Sequence, residues 1–205
     1  MNPVHSLLGI GRHFMMKAAE HVSLNRGDKV LDVGCGTGTF LIALCQKYPG
    51  GNSAKSAVEF FGIDPAERLL KEAKRLAHAA ECTIDFRLGA IEKIPFPSEY
   101  FDAITCTFTM HHLPFDLKRT GLKEIIRVLK PAGQVFVIDI GKPANAYEKC
   151  VSRINAGVEH FRSNIHGEIP ELLEETGFEN VQVLKHRTSL FLGGIDFIRG
   201  HRAIR

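Results

Sequence analysis

The feature that most constrains this chain is an alternation. Between about Lys29 and Ile140, short apolar segments take turns with amphipathic ones. Five of the apolar segments read as strands: Lys29–Val33, Val58–Ile63, Thr83–Leu88, Phe101–Phe108 and Gln134–Ile140. They are apolar almost throughout rather than at every second residue, which marks strands buried on both faces. Between them lie helical spacings. Phe40, Leu41, Leu44 and Cys45 share one face, and Leu69, Ala73, Leu76 and Ala80 fall at i, i+4, i+7 and i+11. Leu122, Ile125, Ile126 and Leu129 form a third stripe, which Pro131-Ala132-Gly133 stops. Strands alternating with helices in this way predict an α/β fold: a doubly wound, mostly parallel sheet with helices on both faces.

After Gly141 the pattern changes. Ala144 to about Asn164 is a mixed, moderately helical stretch, and Glu168 to Thr176 reads as a helix ending at Gly177. Val181–Lys185 and Leu190–Ile198 then read as strands joined by a polar turn. A turn that short cannot make a parallel crossover, so the final pair is expected to be antiparallel. At the other end, His13 to Leu24 reads as a helix before the first strand. A loop is expected from Gly50 to about Ala57.

Composition narrows the function classes. With 205 residues, 44% of them hydrophobic, the chain can bury a sizeable core as one ordinary domain. Lys and Arg total 26 and Asp and Glu 23, so the net charge is only +3, which argues against a dedicated nucleic-acid binder. No apolar run approaches the roughly 20 residues of a membrane-spanning helix. The short apolar stretch near the N-terminus is interrupted by Arg12 and His13 and is followed by no cleavage-like site. A cytoplasmic protein is therefore expected. The five cysteines, Cys35, Cys45, Cys82, Cys106 and Cys150, are odd in number and hold no Cys-x-x-Cys. They suggest reduced thiols, neither a disulfide framework nor a metal knuckle.

The chemistry concentrates at Val30-Leu31-Asp32-Val33-Gly34-Cys35-Gly36-Thr37-Gly38-Thr39. A strand runs into three alternating glycines and then a helix. Glycines allow a tight turn and close approach of a ligand, and a helix N-terminus adds N–H groups and a positive dipole end. In a parallel sheet this turn lies at the carboxyl edge, where such folds bind ligands. A dinucleotide fingerprint would put its third glycine at position 39, which is Thr39 here. That spacing disfavours a nicotinamide-dependent oxidoreductase. The second feature is Phe60-Phe61-Gly62-Ile63-Asp64. A carboxylate ending the strand beside the glycine turn can accept both hydroxyls of a ribose. Asp64, followed by Pro65, Ala66 and Glu67, also looks like a helix start, with Pro65 at the first helical position.

At this point the chain resembles the class I S-adenosylmethionine-dependent methyltransferases. Val30 to Gly38 is similar to their first motif and Gly62-Ile63-Asp64 to their second. Gly89 to Phe96 resembles the loop that covers the adenine. Phe101-Asp102-Ala103-Ile104 with Met110-His111-His112-Leu113 resembles the fourth-strand motif, and Glu124 to Gly133 the helix before the fifth strand. The resemblance implies a Rossmann-like sheet with an antiparallel C-terminal pair and S-adenosylmethionine as cofactor. It divides a single domain, 1–205, into a helical cap (1–26), a cofactor-binding core (27–140), and a lid segment with the C-terminal strands (141–205).

Roles follow from the same resemblance. Gly34, Gly36 and Gly38 line the methionine end, and Asp32 helps hold its amino group. Asp64 and Pro65 border the ribose, with Asp64 taking its hydroxyls. Ala90 and Ile91 flank the adenine, and Thr107 or Phe108 borders the sulfonium. Many relatives carry Asp where this chain has Ala90; that departure implies weaker adenine specificity, or recognition through the backbone at Ile91 alone. Methyl transfer from a sulfonium is an in-line displacement with a neutral leaving group, so proximity and alignment do most of the work. A base is needed only if the acceptor must lose a proton. His111 and His112 are the candidates, against a purely structural reading of the turn that carries them. His166 and Glu168 are weaker candidates, and no metal ligand set is apparent.

The acceptor pocket is expected from the least regular parts, Arg12, His13 and Phe14 and the lid from Ala144 to His166. Ile154, Val158, Phe161 and Ile165 form a stripe there that reads as core before it reads as substrate box. The C-terminal segment loosely resembles the end of the ubiquinone/menaquinone biosynthesis C-methyltransferases. Its Arg199, His201, Arg202 and Arg205 would suit an acidic acceptor or lipid headgroups, or simply form a solvated tail. The expected partner is a small-molecule methyl acceptor, lipid or quinone-like, with no nucleic acid. A binding module without turnover and a methyltransferase of macromolecules stand as rivals.

Overall fold

The computed structural model of the chain describes residues 11–48, 57–155 and 168–204. Seven strands form one sheet: β1 Lys29–Val33, β2 Glu59–Asp64, β3 Ile84–Leu88, β4 Phe101–Thr107, β5 Leu129–Ile140, β6 Phe178–Ser189 and β7 Gly193–Arg202. Their order is β3-β2-β1-β4-β5-β7-β6. The first five are parallel, and β7 pairs antiparallel with both β5 and β6. The helices are α1 Arg12–Ala19, α2 Thr39–Lys47, α3 Glu67–Ala79, α4 Phe115–Val128, α5 Ala146–Asn155 and α6 Glu168–Thr176. Among the described residues no helix is long and apolar enough to cross a membrane.

Adjacent strand residues bury into opposite layers, which is why the strands read as continuous apolar runs. Val30, Phe136 and Phe197 join one cluster with Phe14 of α1, Leu41 and Leu44 of α2 and Ala73 of α3. Leu31, Val137 and Ile198 join the other with Leu122 and Ile125 of α4 and Leu172 of α6. The chain leaves β1 toward β2 and β3 on one side and returns to β4 on the other. The crevice at this reversal, above the ends of β1 and β4, is where open α/β sheets take ligands.

Several boundaries differ from expectation. The buried stripe of α3 is Leu70, Ala73 and Ala77, with Leu69 and Leu76 only half-buried. Its N-cap is Ala66, so Pro65 precedes the helix instead of opening it. Leu129 begins β5 rather than ending α4: it pairs with Phe101, the register then shifts, and pairing resumes at Ala103 with Gln134. Pro131-Ala132-Gly133 is thus an irregularity inside the strand, with Ala132 at φ 59°. Both final strands run longer than their apolar patches, because each is completed by its neighbour in the sheet rather than by its own pattern. Residues 50–56 of the expected loop, and Val158, Phe161, Ile165, His166 and Arg205, lie outside the described residues.

Candidate active site at the carboxyl edge of the sheet

The three glycines behave as their spacing demands. Gly34, Gly36 and Gly38 have φ of 73°, 53° and 71°, a region that L side chains rarely adopt. Each has a different neighbour. A Cβ on Gly34 would collide with the side chain of Thr109, and one on Gly38 would lie 2.8 Å from Phe86. A Cβ on Gly36 would meet nothing within 4 Å, so the turn opens to space there. The N–H groups of Gly34 and Cys35 both donate to the carbonyl of Ile63 at 2.9 Å, which ties the turn to the end of β2. Thr109, which the sequence reading passed over, ties it to β4: its hydroxyl lies 3.2 Å from the Gly34 carbonyl oxygen.

Asp64 ends β2 beside this turn and is buried. Its Oδ2 accepts from the Gly36 N–H at 2.8 Å and its Oδ1 from the Ala66 N–H at 2.8 Å. The carboxylate therefore braces the turn and the approach to α3 together, without capping the helix. Pro65 is exposed at this corner. Asp32 is buried one residue before the end of β1 and accepts from the Thr105 hydroxyl at 2.7 Å. Burial pushes its carboxyl up to about 7; the nearby Asp64 charge adds to this, and the Thr105 hydrogen bond opposes it.

Ala90 and Ile91 follow β3. The Lys93 N–H donates to the Ala90 carbonyl at 3.1 Å. The Ile91 side chain is buried against Gly121 of α4, where even a methyl group would be too close. At the end of β4, the Thr107 hydroxyl oxygen is buried and has no hydrogen-bond partner among the described residues. Phe108 stands at φ 53° with its ring 5.8 Å from that of Phe14, which brings α1 to the same edge. Arg12 and His13, ahead of Phe14 in α1, are not buried.

The two histidines separate. Met110–His112 forms a single 3₁₀ turn after β4. His111 is buried, with Nδ1 2.8 Å from Oδ1 of Asp139, while His112 is exposed with its ring 3.9 Å from that of His111. Asp139 also accepts from the backbone N–H groups of His111 at 3.3 Å and Ile140 at 2.7 Å. Burial would raise its carboxyl, but the His111 imidazole and these N–H groups outweigh burial and hold it below the usual range. Lys118 of α4 is buried on the same side; burial lowers its pKa, against the pull of Asp139 and Glu168. Of this cluster His111 was the candidate singled out from the sequence; Asp139 and Lys118 reach it from β5 and α4.

A second polar cluster joins α5 to the last two strands. His186 Nδ1 is 2.5 Å from Asp196 Oδ1, and its Nε2 is 3.1 Å from Glu148 Oε2. Glu148 accepts from the Thr188 hydroxyl at 2.6 Å and from the Ala144 N–H at 2.7 Å. No sequence signal linked residues that far apart. The basic residues near the C-terminus lie elsewhere. Arg199 and His201 pair in register with Phe136 and Gln134, and Arg202 bonds Glu99 and the Leu129 carbonyl. These places are toward the amino end of β5, away from the glycine turn.

Residues 30–133 match the family described as "Methyltransferase domain". The chain belongs to the class I S-adenosylmethionine-dependent methyltransferases. A demethylmenaquinone methyltransferase of Deinococcus radiodurans is 33% identical over 147 residues, 72% of this chain and 57% of that protein. One from Lactobacillus johnsonii is 27% identical over 201 residues, 87% of this chain and 79% of its own length. A ubiquinone/menaquinone biosynthesis C-methyltransferase of Pseudomonas fluorescens is 29% identical, covering 70% of this chain and 54% of that protein. The alignments thus span little more than half the length of two of these three relatives. The crystal structure of the YcgJ protein from Bacillus subtilis superposes with a TM-score of 0.70 at 19% identity, covering 94% of this chain and 97% of that one. That likeness shows a shared fold over nearly the whole of both chains.

Proposed function

We propose that this methyltransferase moves a methyl group from S-adenosylmethionine to a small, apolar, quinone-like acceptor, and that it works as one domain in the cytoplasm. The observation that carries the reading is Asp64. It is buried at the end of β2, bonded to the glycine turn, beside the crevice where the strand order reverses. The residues fit the cofactor on two further counts. Gly36 opens to space, and the Thr107 hydroxyl stands buried at the end of β4 without a partner among the described residues.

In this reading Asp64 takes the ribose hydroxyls and Asp32, braced by Thr105, favours the methionine ammonium. Gly34, Gly36 and Gly38 let the chain pass close to the methionine end. The backbone at Ala90 and Ile91 faces the adenine, and Thr107 and Phe108 border the sulfonium. The bound cofactor supplies an activated methyl group with a neutral leaving group. The chain's share is to hold it in line with the acceptor and exclude water. His112, exposed beside the paired His111, is the proton acceptor if the reacting atom of the acceptor must lose a proton. Asp139 and His111 position the turn that presents it. The relatives' names support the acceptor class.

Titration calorimetry with S-adenosylmethionine tests the cofactor half of the proposal: micromolar binding supports it, and no heat at any accessible concentration overturns it. The acceptor half is tested by following a labelled methyl group from S-adenosylmethionine into an organic-soluble product.

A further inference from the structure

Exposed apolar surface is unevenly spread. Eight large hydrophobic side chains are exposed among the described residues. Leu88 ends β3, Phe115 begins α4, Tyr147 and Ile154 lie on α5, and Leu190 and Phe191 form the β6–β7 turn. All six sit at elements that open on the carboxyl edge of the sheet. Four of them belong to one structure, the rim formed by α5 and the β6–β7 turn.

This rim is built to hold its shape. Tyr147 donates its hydroxyl to the Leu190 carbonyl at 2.6 Å, and Glu148 accepts from Thr188 and faces His186. These bonds lock α5 to the final hairpin, so Ile154 at 73% exposure and Leu190 at 67% are presented by a rigid frame. On α5, Tyr147, Cys150 and Ile154 follow at i, i+3 and i+7, one face of a helix. The charges around them are one-sided. From Gly141 to Asn155 and from His186 to Leu192 the only acid is Glu148, which is buried. Lys142, Lys149 and Arg153 are exposed, while Arg187 lies over the Phe14 ring of α1. A rigid apolar face ringed by cations, its one acid turned inward, matches an anionic lipid surface, where apolar side chains enter the headgroup boundary and cations meet the phosphates.

We infer that the rim of α5 and the β6–β7 turn docks this methyltransferase onto an anionic phospholipid bilayer, with the candidate site opening toward the membrane. The inference extends the reading of an apolar acceptor but is tested without it. Wild-type protein should co-sediment with phosphatidylcholine vesicles containing phosphatidylglycerol, and much less with phosphatidylcholine alone. Leu190→Glu with Ile154→Glu should lower partitioning by about tenfold or more. Lys149→Gln or Arg153→Gln should each lower it by roughly fivefold, the weight of one cation at such a surface. All four side chains are exposed, so the fold should survive, with unchanged S-adenosylmethionine affinity by calorimetry as the control. Three results would overturn the inference: no wild-type binding to the anionic vesicles, equal binding by the variants, or a wild-type dimer in light scattering that Leu190→Glu dissociates. The last would assign the face to a second copy of the chain. None of these results bears on methyl transfer, which is read separately.

Discussion

At the residue scale the account turns on two carboxylates placed one strand apart. Asp64 accepts two backbone N–H groups, so its removal touches both the ribose and the glycine turn. Asp64→Ala should weaken S-adenosylmethionine binding by at least about tenfold, in line with the roughly 1.5–3 kcal/mol of a charge-assisted hydrogen bond. Calorimetry on a variant whose circular dichroism is unchanged checks this, and equal affinity would remove Asp64 from the site. Asp32 makes a pH prediction. Its carboxyl is raised to about 7 in the folded protein without ligand, and a cofactor ammonium favours the ionised form. Affinity should therefore rise as pH increases through about 7. Binding below that pH should release a proton, seen as a dependence of the binding heat on the buffer's ionisation enthalpy. Both carboxylates were legible in the sequence because each ends or nearly ends an apolar strand beside a glycine turn. Thr109 and Thr105 were not, because their partners lie across the sheet, 75 and 73 residues away in the chain.

At the element scale, the turn after β4 and the α5–hairpin lock make separate predictions. His112→Ala should lower turnover more than cofactor affinity, since the exposed ring is the proposed proton acceptor. If both stay normal, the turn is structural only. Assigning the pair's roles needed the structure: two adjacent histidines look alike in sequence, and only the burial of His111 against Asp139 distinguishes them. The lock predicts a pH dependence of stability. Burial lowers the His186 pKa, but Asp196 and Glu148 outweigh it and raise it above the ordinary 6.5. Its contribution is full below 6.5 and is lost as pH rises through the raised value. Burial raises Glu148, but Thr188, the Ala144 N–H and His186 outweigh it and hold it below the ordinary 4.5. That contribution is full above 4.5 and is lost as pH falls through the lowered value. Between 4.5 and 6.5 both are present. The melting temperature of the wild type should fall above that window more steeply than that of His186→Gln, and parallel curves would contradict the lock. β1 could be bounded from sequence because its apolar run and its glycine turn are local signals. The length of β6 and β7 could not, because their outer residues are polar and are held by pairing across the sheet.

At the scale of the whole molecule, the alternation of strands and helices dictated the layered sheet, and the strand order reverses between β1 and β4, beside the glycine turn, where open α/β sheets take ligands. Which acceptor enters there is not written in the periodicity. It depends on the elements after Gly141, where amphipathic spacing weakens and long-range polar contacts take over. The central claim is that a methyl group passes from S-adenosylmethionine to a small apolar molecule. The most direct test incubates purified protein with methyl-labelled S-adenosylmethionine and a cell extract separated into organic-soluble, small polar and macromolecular pools. The account predicts label in the organic-soluble pool, on a species that mass spectrometry shows to be heavier by one methyl group. Label confined to the macromolecular pool, or no label in any pool while the cofactor binds, would contradict it.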